Sequence, residues 1–287
     1  MRSRKKGTSF KKAVTIGRQN LFLGTKELEN LLRDFGHSAS SAPGLKWEQG
    51  VRPYAEPLFE FLGAEVLDSL DASDYEDATI VHDLNLPLPA NLQHGFDVVC
   101  ELGSLEHVFN FPTAMGNCLR LVKQGGHFIW VTPANNNFGH GFYQFSPELA
   151  YRVLSPVNGF EIEELVAVEY GPRRRWYSVA DPVNAHDRVQ LINPFPVYMM
   201  VRAKRISEVE PFLTPPQQSD YFSTWEASAE KPADAPPPPA TRPRWKDLLI
   251  ESSPRLVRIL QSLQTSGFNR RFSFKNPRSF TPLDKNG

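Results

Sequence analysis

The chain has 287 residues, 40% of them hydrophobic, which is enough for a sizeable core organised as one large or two small domains. Its 32 basic residues balance 32 acidic ones, so no nucleic-acid partner is favoured. No apolar run approaches the roughly 20 residues that span a bilayer, and the opening MRSRKKGTSFKK is basic without the apolar core of a secretory signal, so no transmembrane segment and a cytoplasmic location are expected.

Ala13 to Ile16 is a short apolar strand ending at Gly17. Leu28, Leu31, Leu32 and Phe35 recur at helical spacing, so Thr25 to Phe35 is an amphipathic helix closed by Gly36. The Ser, Gly and Pro loop that follows, HSASSAPGLKWEQGVR, is long enough to be a lid over a site or a surface insertion. Tyr54 to Leu62 is a second helix, and Glu65 to Leu70 a second strand with Asp68 inside it and Asp71 just after it. Ala78 to Val81 is a short third strand followed by His82, Asp83, Leu84 and Asn85.

Val98, Val99 and Cys100 form the kind of apolar run that a strand buried on both faces presents. The polar turn Glu101 to His107 follows it. Pro112 then opens a helix with Met115, Cys118, Leu119 and Val122 on one face, and Gly125 and Gly126 are expected to stop it before the strand Phe128 to Val131. Cys100 and Cys118 both fall on core positions and read as reduced packing residues.

After that strand, ANNNFGHGFYQFSPE gathers amides, aromatics and His140 into a plausible substrate wall, and Ser146, Pro147 and Glu148 have the chemistry of a helix start. Phe160 to Tyr170 and Val197 to Lys204 read as strands separated by an insertion with Arg173, Arg174, Arg175, Trp176 and Tyr177, which suit either an anion clamp or a solvated basic loop. The expected organisation is a domain over residues 1–210, a Pro-rich linker over 211–244 and a basic helix and tail over 245–287. The closing GFNRRFSFKNPRSF is expected to dock on the domain, with a membrane surface, RNA or another protein as alternative partners for this tail.

The order FDVV, LEHV, RLVKQGG and a strand ending in Pro133 resembles the second half of a class I S-adenosylmethionine (SAM) dependent methyltransferase of the type 11 kind, and the likeness extends over about residues 13–205. It implies a Rossmann-like α/β fold with a mostly parallel seven-stranded sheet and helices on both faces, SAM as cofactor, and transfer of a methyl group to an O or N atom of a small molecule or glycan. It also implies cofactor contacts at Gly17, at Asp71 or its competitor Asp68 on the ribose, at Asp83 and Leu84 on the adenine, and at Glu101, Leu102 and Gly103.

His107 and His140 are the candidates for a catalytic base. The first turn departs from the family: Gly17 is followed by Arg18, Gln19 and Asn20, with no further glycine until Gly24. Two readings therefore stand beside the enzyme: a catalytically degenerate binding or scaffold protein, and a nicotinamide enzyme, which the missing G-x-G-x-x-G turn disfavours. In the ubiquinone-type O-methyltransferases a Glu-His pair is joined by a carboxylate three residues earlier to hold a divalent ion; Gly103 stands at that position, so no metal is expected at Glu106 and His107.

Overall fold

The structure is a computed structural model, and it describes residues 1–38, 53–221 and 269–283. The lid or insertion expected from residue 37 onward, the Pro-rich run at 236–239 and the helix expected after Ser253 lie almost wholly outside the described residues.

In chain order the elements are the one-turn helix α1 (Arg2–Lys5), β1 (Lys12–Ile16), α2 (Thr25–Asp34), α3 (Glu56–Leu62), β2 (Val66–Asp71), β3 (Ile80–Val81), β4 (Phe96–Glu101), α4 (Phe111–Leu121), β5 (Val122–Asn135), α5 (Pro147–Val153), β6 (Phe160–Glu169), β7 (Arg175–Val179), α6 (Pro182–Ala185), β8 (Val197–Arg205) and β9 (Phe280–Leu283). The strands form one sheet in the order β3-β2-β1-β4-β5-β8-β6-β7-β9.

This is an α/β, Rossmann-like architecture with nine strands among the described residues, where seven are expected from sequence. The sheet is parallel only from β3 to β5. From β5 onward every pairing is antiparallel. The two additional strands have identifiable origins. Trp176 and Tyr177, inside the stretch read as an insertion, belong to β7, which pairs with β6. Phe280 to Leu283 form β9, which lies at the sheet edge against β7.

Alternation along the parallel strands sorts side chains to two cores. Ala13, Val98 and Cys100 face α2 and α3, packing with Leu28, Leu32, Phe59 and Leu62. Val14, Ile16, Leu70 and Val99 face the opposite way and pack with Ala114, Met115, Cys118 and Leu119 of α4. All six residues of β4 are buried, as a central strand covered on both faces requires. Both cysteines are free and buried, and burial pushes the Cys100 thiol up to about 12, which leaves it without thiolate character.

The glycine pair after α4 does not cap that helix. The chain turns extended at Val122, which pairs with Phe96, and Gly125 and Gly126 lie inside the long β5, where a bulge separates the Phe96 and Val98 pairings. Gly126 is required there by close approach, since a Cβ on it would sit 2.8 Å from the Asp97 carbonyl oxygen. The start of α5 is as its sequence demands: Ser146 Oγ accepts from the Leu149 N–H at 3.2 Å, with Pro147 in the first turn. No helix of the described residues is long and apolar enough to cross a membrane.

Candidate cofactor crevice and histidine cluster

In an open α/β sheet the crevice for a ligand lies beyond the carboxyl ends of the strands where their order reverses, here between β1 and β4. The register puts Ile16 opposite both Leu70 and Glu101, so the residues that follow these three meet at one edge. Gly17 follows β1 with φ of +69°. A Cβ there would lie 3.2 Å from Ser104 Oγ, 3.4 Å from Gln19 Nε2 and 3.7 Å from Asp71 Oδ2, in a conformation that L side chains rarely adopt. Gly17 N–H donates to the Leu70 carbonyl at 2.8 Å and Ser104 Oγ donates to the Ile16 carbonyl at 3.0 Å. The ends of β1, β2 and β4 are thus tied together around one glycine.

Of the two acids weighed for β2, Asp71 is the one at this edge. Its Oδ1 accepts from the Ala72 N–H at 2.6 Å and its Oδ2 faces Gly17. Asp68 lies within the strand and accepts from Thr79 Oγ1 at 2.9 Å.

The residues after Gly17, where the resemblance leads one to expect glycines, are held by other partners. Arg18 donates to Glu56 at 2.7 Å and to the Glu76 carbonyl at 2.9 Å, and its guanidinium lies 3.9 Å from the centre of the Tyr54 ring. Gln19 folds its amide back onto the Ile16 carbonyl at 2.6 Å, while its own carbonyl accepts from the Ala55 N–H at 2.8 Å. The turn after β1 is therefore braced by side chains and by the segment before α3, rather than opened by further glycines.

Asp83 and Leu84 form a turn of their own. Asp83 Oδ1 accepts from the N–H of Asn85 at 2.9 Å and from its side-chain amide at 2.8 Å, and the backbone bond, then the side-chain bond, hold this exposed carboxyl below its ordinary range. Leu84 is buried in the α4 core, and the fully buried Asn117 donates to its carbonyl at 3.1 Å.

The turn after β4 is organised by Glu101. Its Oε1 accepts from the backbone N–H groups of Gly103 at 3.0 Å, Leu105 at 3.1 Å and Ser104. Its Oε2 has no hydrogen-bond partner among the described residues. Burial, partly offset by the backbone bonds and reinforced by the nearby Glu106 charge, pushes the Glu101 carboxyl up to about 8. Glu101 is fully buried, whereas Leu102 and Gly103, which follow it, are partly exposed at the crevice edge.

Beyond Gly103 the chain makes a 3₁₀ turn over Leu105–His107 that buries Glu106 completely. The loop after β5 is clamped onto this turn, because the N–H groups of Phe142 and Tyr143 donate to the Glu106 carbonyl at 2.7 and 3.3 Å. Gly141 permits the clamp: at φ of +76°, a Cβ on it would fall 2.7 Å from that carbonyl oxygen. His140 is thereby placed with Nε2 3.4 Å from Glu106 Oε1, and the His107 and His140 rings meet edge to face at 5.1 Å.

The structure thus brings His107 and His140 together and adds Glu106 to them. It also brings Gly17, Asp71 and the Glu101–Ser104 turn together, whereas Asp83 bonds within its own turn. Two of these groups, Glu106 and His107, are adjacent in sequence; the third, His140, lies 33 residues after His107, and the His-Gly pair that lets its loop approach is its one local signal.

No family model and no curated protein matches the chain. Among solved structures it is similar to a protein of Bacillus halodurans C-125 named provisionally as a methyltransferase, at 9% identity over 72% of this chain and 98% of that one, with a TM-score of 0.41. It is also similar to a SAM-dependent methyltransferase from Mesorhizobium loti, at 16% identity over 71% and 96% with a TM-score of 0.37. The YcgJ protein of Bacillus subtilis gives 10% identity over 71% and 96% with a TM-score of 0.36. The Rossmann-like fold is read from this chain's own strand order and register.

Proposed function

We propose that the chain is a SAM-dependent methyltransferase acting on an O or N atom of a small molecule or glycan. The observation that carries this reading is the meeting of Gly17, Asp71 and Ser104 at the strand-order reversal, where a backbone without a side chain faces a carboxylate at the end of the second strand. That arrangement suits a ribose diol whose hydroxyls donate to one carboxylate, with the ligand lying against Gly17. The residues fit the cofactor in this respect: the Gly17 cradle would be filled by any Cβ, and Asp71 Oδ2 is turned toward it.

In this reading Asp71 holds the ribose, the Asp83–Leu84 turn approaches the adenine and the backbone of Glu101 to Gly103 flanks the methionine end. When bound, SAM supplies a methyl group already activated by its sulfonium. The chain then has little covalent chemistry to do: holding the acceptor in line contributes roughly 7 to 11 kcal/mol of the barrier. In the same reading His107 and His140 take the acceptor's proton, a role supported by their contact with each other and with Glu106 beside Gly103.

The scaffold reading has one observation in its favour, the Gln19 side chain folded onto the end of β1 where the family has glycine. Calorimetric titration with SAM, its demethylated product and NAD separates the readings. Binding of SAM and of the product, with none of NAD, is expected. NAD binding alone would move the site to hydride chemistry, and no binding of any of the three would leave the scaffold.

A further inference from the structure

The geometry points to a divalent transition-metal site formed by Glu106, His107 and His140 at the mouth of the crevice. One ligand atom from each of the three lies within 4.8 Å of the others. The separation of 3.4 Å between Glu106 Oε1 and His140 Nε2 is the edge that two ligands make around a tetrahedral ion when each bond is about 2.0–2.1 Å.

The decisive observation is the state of Glu106. Its residue is fully buried, and its Oε1 has no hydrogen-bond partner among the described residues, although it points at His140. A buried carboxylate oxygen left in this condition is costly unless a cation or a proton satisfies it. Its other oxygen accepts from Thr132 Oγ1 at 3.5 Å, which orients the group without satisfying the inward atom.

The neighbouring backbone is shaped for the same purpose. Gly103 has φ of +109°, so an acid there would be strained, and even a bare Cβ would stand 3.4 Å from Glu106 Oε1. The space is left to Glu106 and to the loop that Gly141 allows to close over it. Two imidazoles and one carboxylate suit zinc, iron, manganese, cobalt or nickel rather than calcium or magnesium. Three protein ligands leave open positions, as a site that binds a further oxygen ligand does.

The exposed rings of Phe109, Phe138 and Phe142 stand on the same two segments as the ligands, with Phe109 and Phe142 edge to face at 6.0 Å. An acceptor with an apolar body and a hydroxyl fits such a mouth: the hydroxyl on the metal loses its proton to solvent more readily than in water. With the ion bound, His107 and His140 are its ligands, and this role replaces that of proton acceptor proposed for them above. The inference stands on Glu106 and its neighbours and does not need the cofactor assignment to be right.

The test uses the full chain, stripped with EDTA and titrated with Co²⁺, whose visible d–d absorption reports imidazole and carboxylate coordination. One equivalent is expected to bind in the micromolar range or tighter, and Zn²⁺ should displace it. His107→Asn and His140→Asn, both at exposed positions where folding is not at stake, should each weaken Co²⁺ binding by at least about tenfold, the loss that even indirect supports of a metal ligand cause. Glu106→Gln is expected to do the same if it melts like the parent, and His82→Asn should change nothing. Absence of stoichiometric uptake, or uptake that survives both histidine changes, overturns the site. Because the titration contains no SAM, its result is independent of whether the crevice binds the cofactor.

Discussion

The sheet has two halves with different physical characters. From β3 to β5 it is parallel, covered by helices on both faces, and its carboxyl edge carries every cofactor candidate. From β8 to β9 it is antiparallel: β8 alternates buried and half-exposed positions along much of its length, and the edge is finished by β7 and β9. A parallel strand buried on two faces is apolar over most of its length, as Val98 to Cys100 are in β4, whereas an antiparallel strand tolerates polar neighbours and can be added at an edge. The first half carries the proposed cofactor crevice, and the second extends the sheet beyond it.

The largest effect that would break this contrast is a charge in β4. Val99 is fully buried, with Val14 and Phe128 as its neighbours in register. Val99→Asp is expected to cost on the order of 5 kcal/mol or more, most of the stability of an ordinary domain, and so to abolish cooperative melting followed by circular dichroism. A native-like melt would mean that β4 is not central.

A smaller loss is expected at the other end of the sheet. We propose that residues 1–210 form the functional domain, followed by a linker over 211–244 and a tail over 245–287 whose described part includes β9. A chain ending after residue 210 loses the β9 pairing and the buried Phe280, whose ring packs with Tyr177 and Phe274. That loss is about 3 kcal/mol, on the order of 5–10 °C in the melting midpoint. Cooperative melting should persist, and SAM binding should be kept. Aggregation of the shortened chain would show instead that the tail completes the fold.

Glu101 gives a subtler test within the parallel half. Its carboxyl is raised from 4.5 to about 8 in the folded chain, so the folded state keeps a proton that the unfolded chain releases. This contribution to stability is complete below about pH 4.5 and declines as pH rises through about 8. Glu101→Gln cannot ionise yet keeps an oxygen for the three backbone donors, so denaturation midpoints measured from pH 5 to 9 should slope less than in the parent. Equal slopes would assign the pH dependence elsewhere.

What was legible in the sequence follows the same division. Val98 to Cys100, the Leu28, Leu31 and Leu32 stripe and the Ser146 cap are local signals with a strong physical cause, and each element appears where it is expected. The expected strand Glu65 to Leu70 is found one residue later, as Val66–Asp71, so that Asp71 is its last residue. The strands β7 and β9 were not legible. Arg173 to Arg175 give the start of β7 the look of a solvated loop, and Pro282 argues against a strand except at an edge, which is where β9 lies. Glu106, His107 and His140 escaped as a group because the loop closure that unites them depends on one backbone carbonyl and a glycine, features without periodicity.

The central claim is that the ends of β1, β2 and β4 form an adenosine site with Asp71 on the ribose, and it is tested by calorimetric titration of SAM into the parent, Asp71→Ala and Asp68→Ala. Hydrogen bonds to a charged group contribute about 1.5–3 kcal/mol each, so Asp71→Ala should weaken binding roughly tenfold to a hundredfold or more. Asp68→Ala, which loses a bond to Thr79 inside the strand rather than a carboxylate at the Gly17 edge, should leave the affinity unchanged. Weakened binding in Asp68→Ala with none in Asp71→Ala, or no change in either folded variant, would contradict the site.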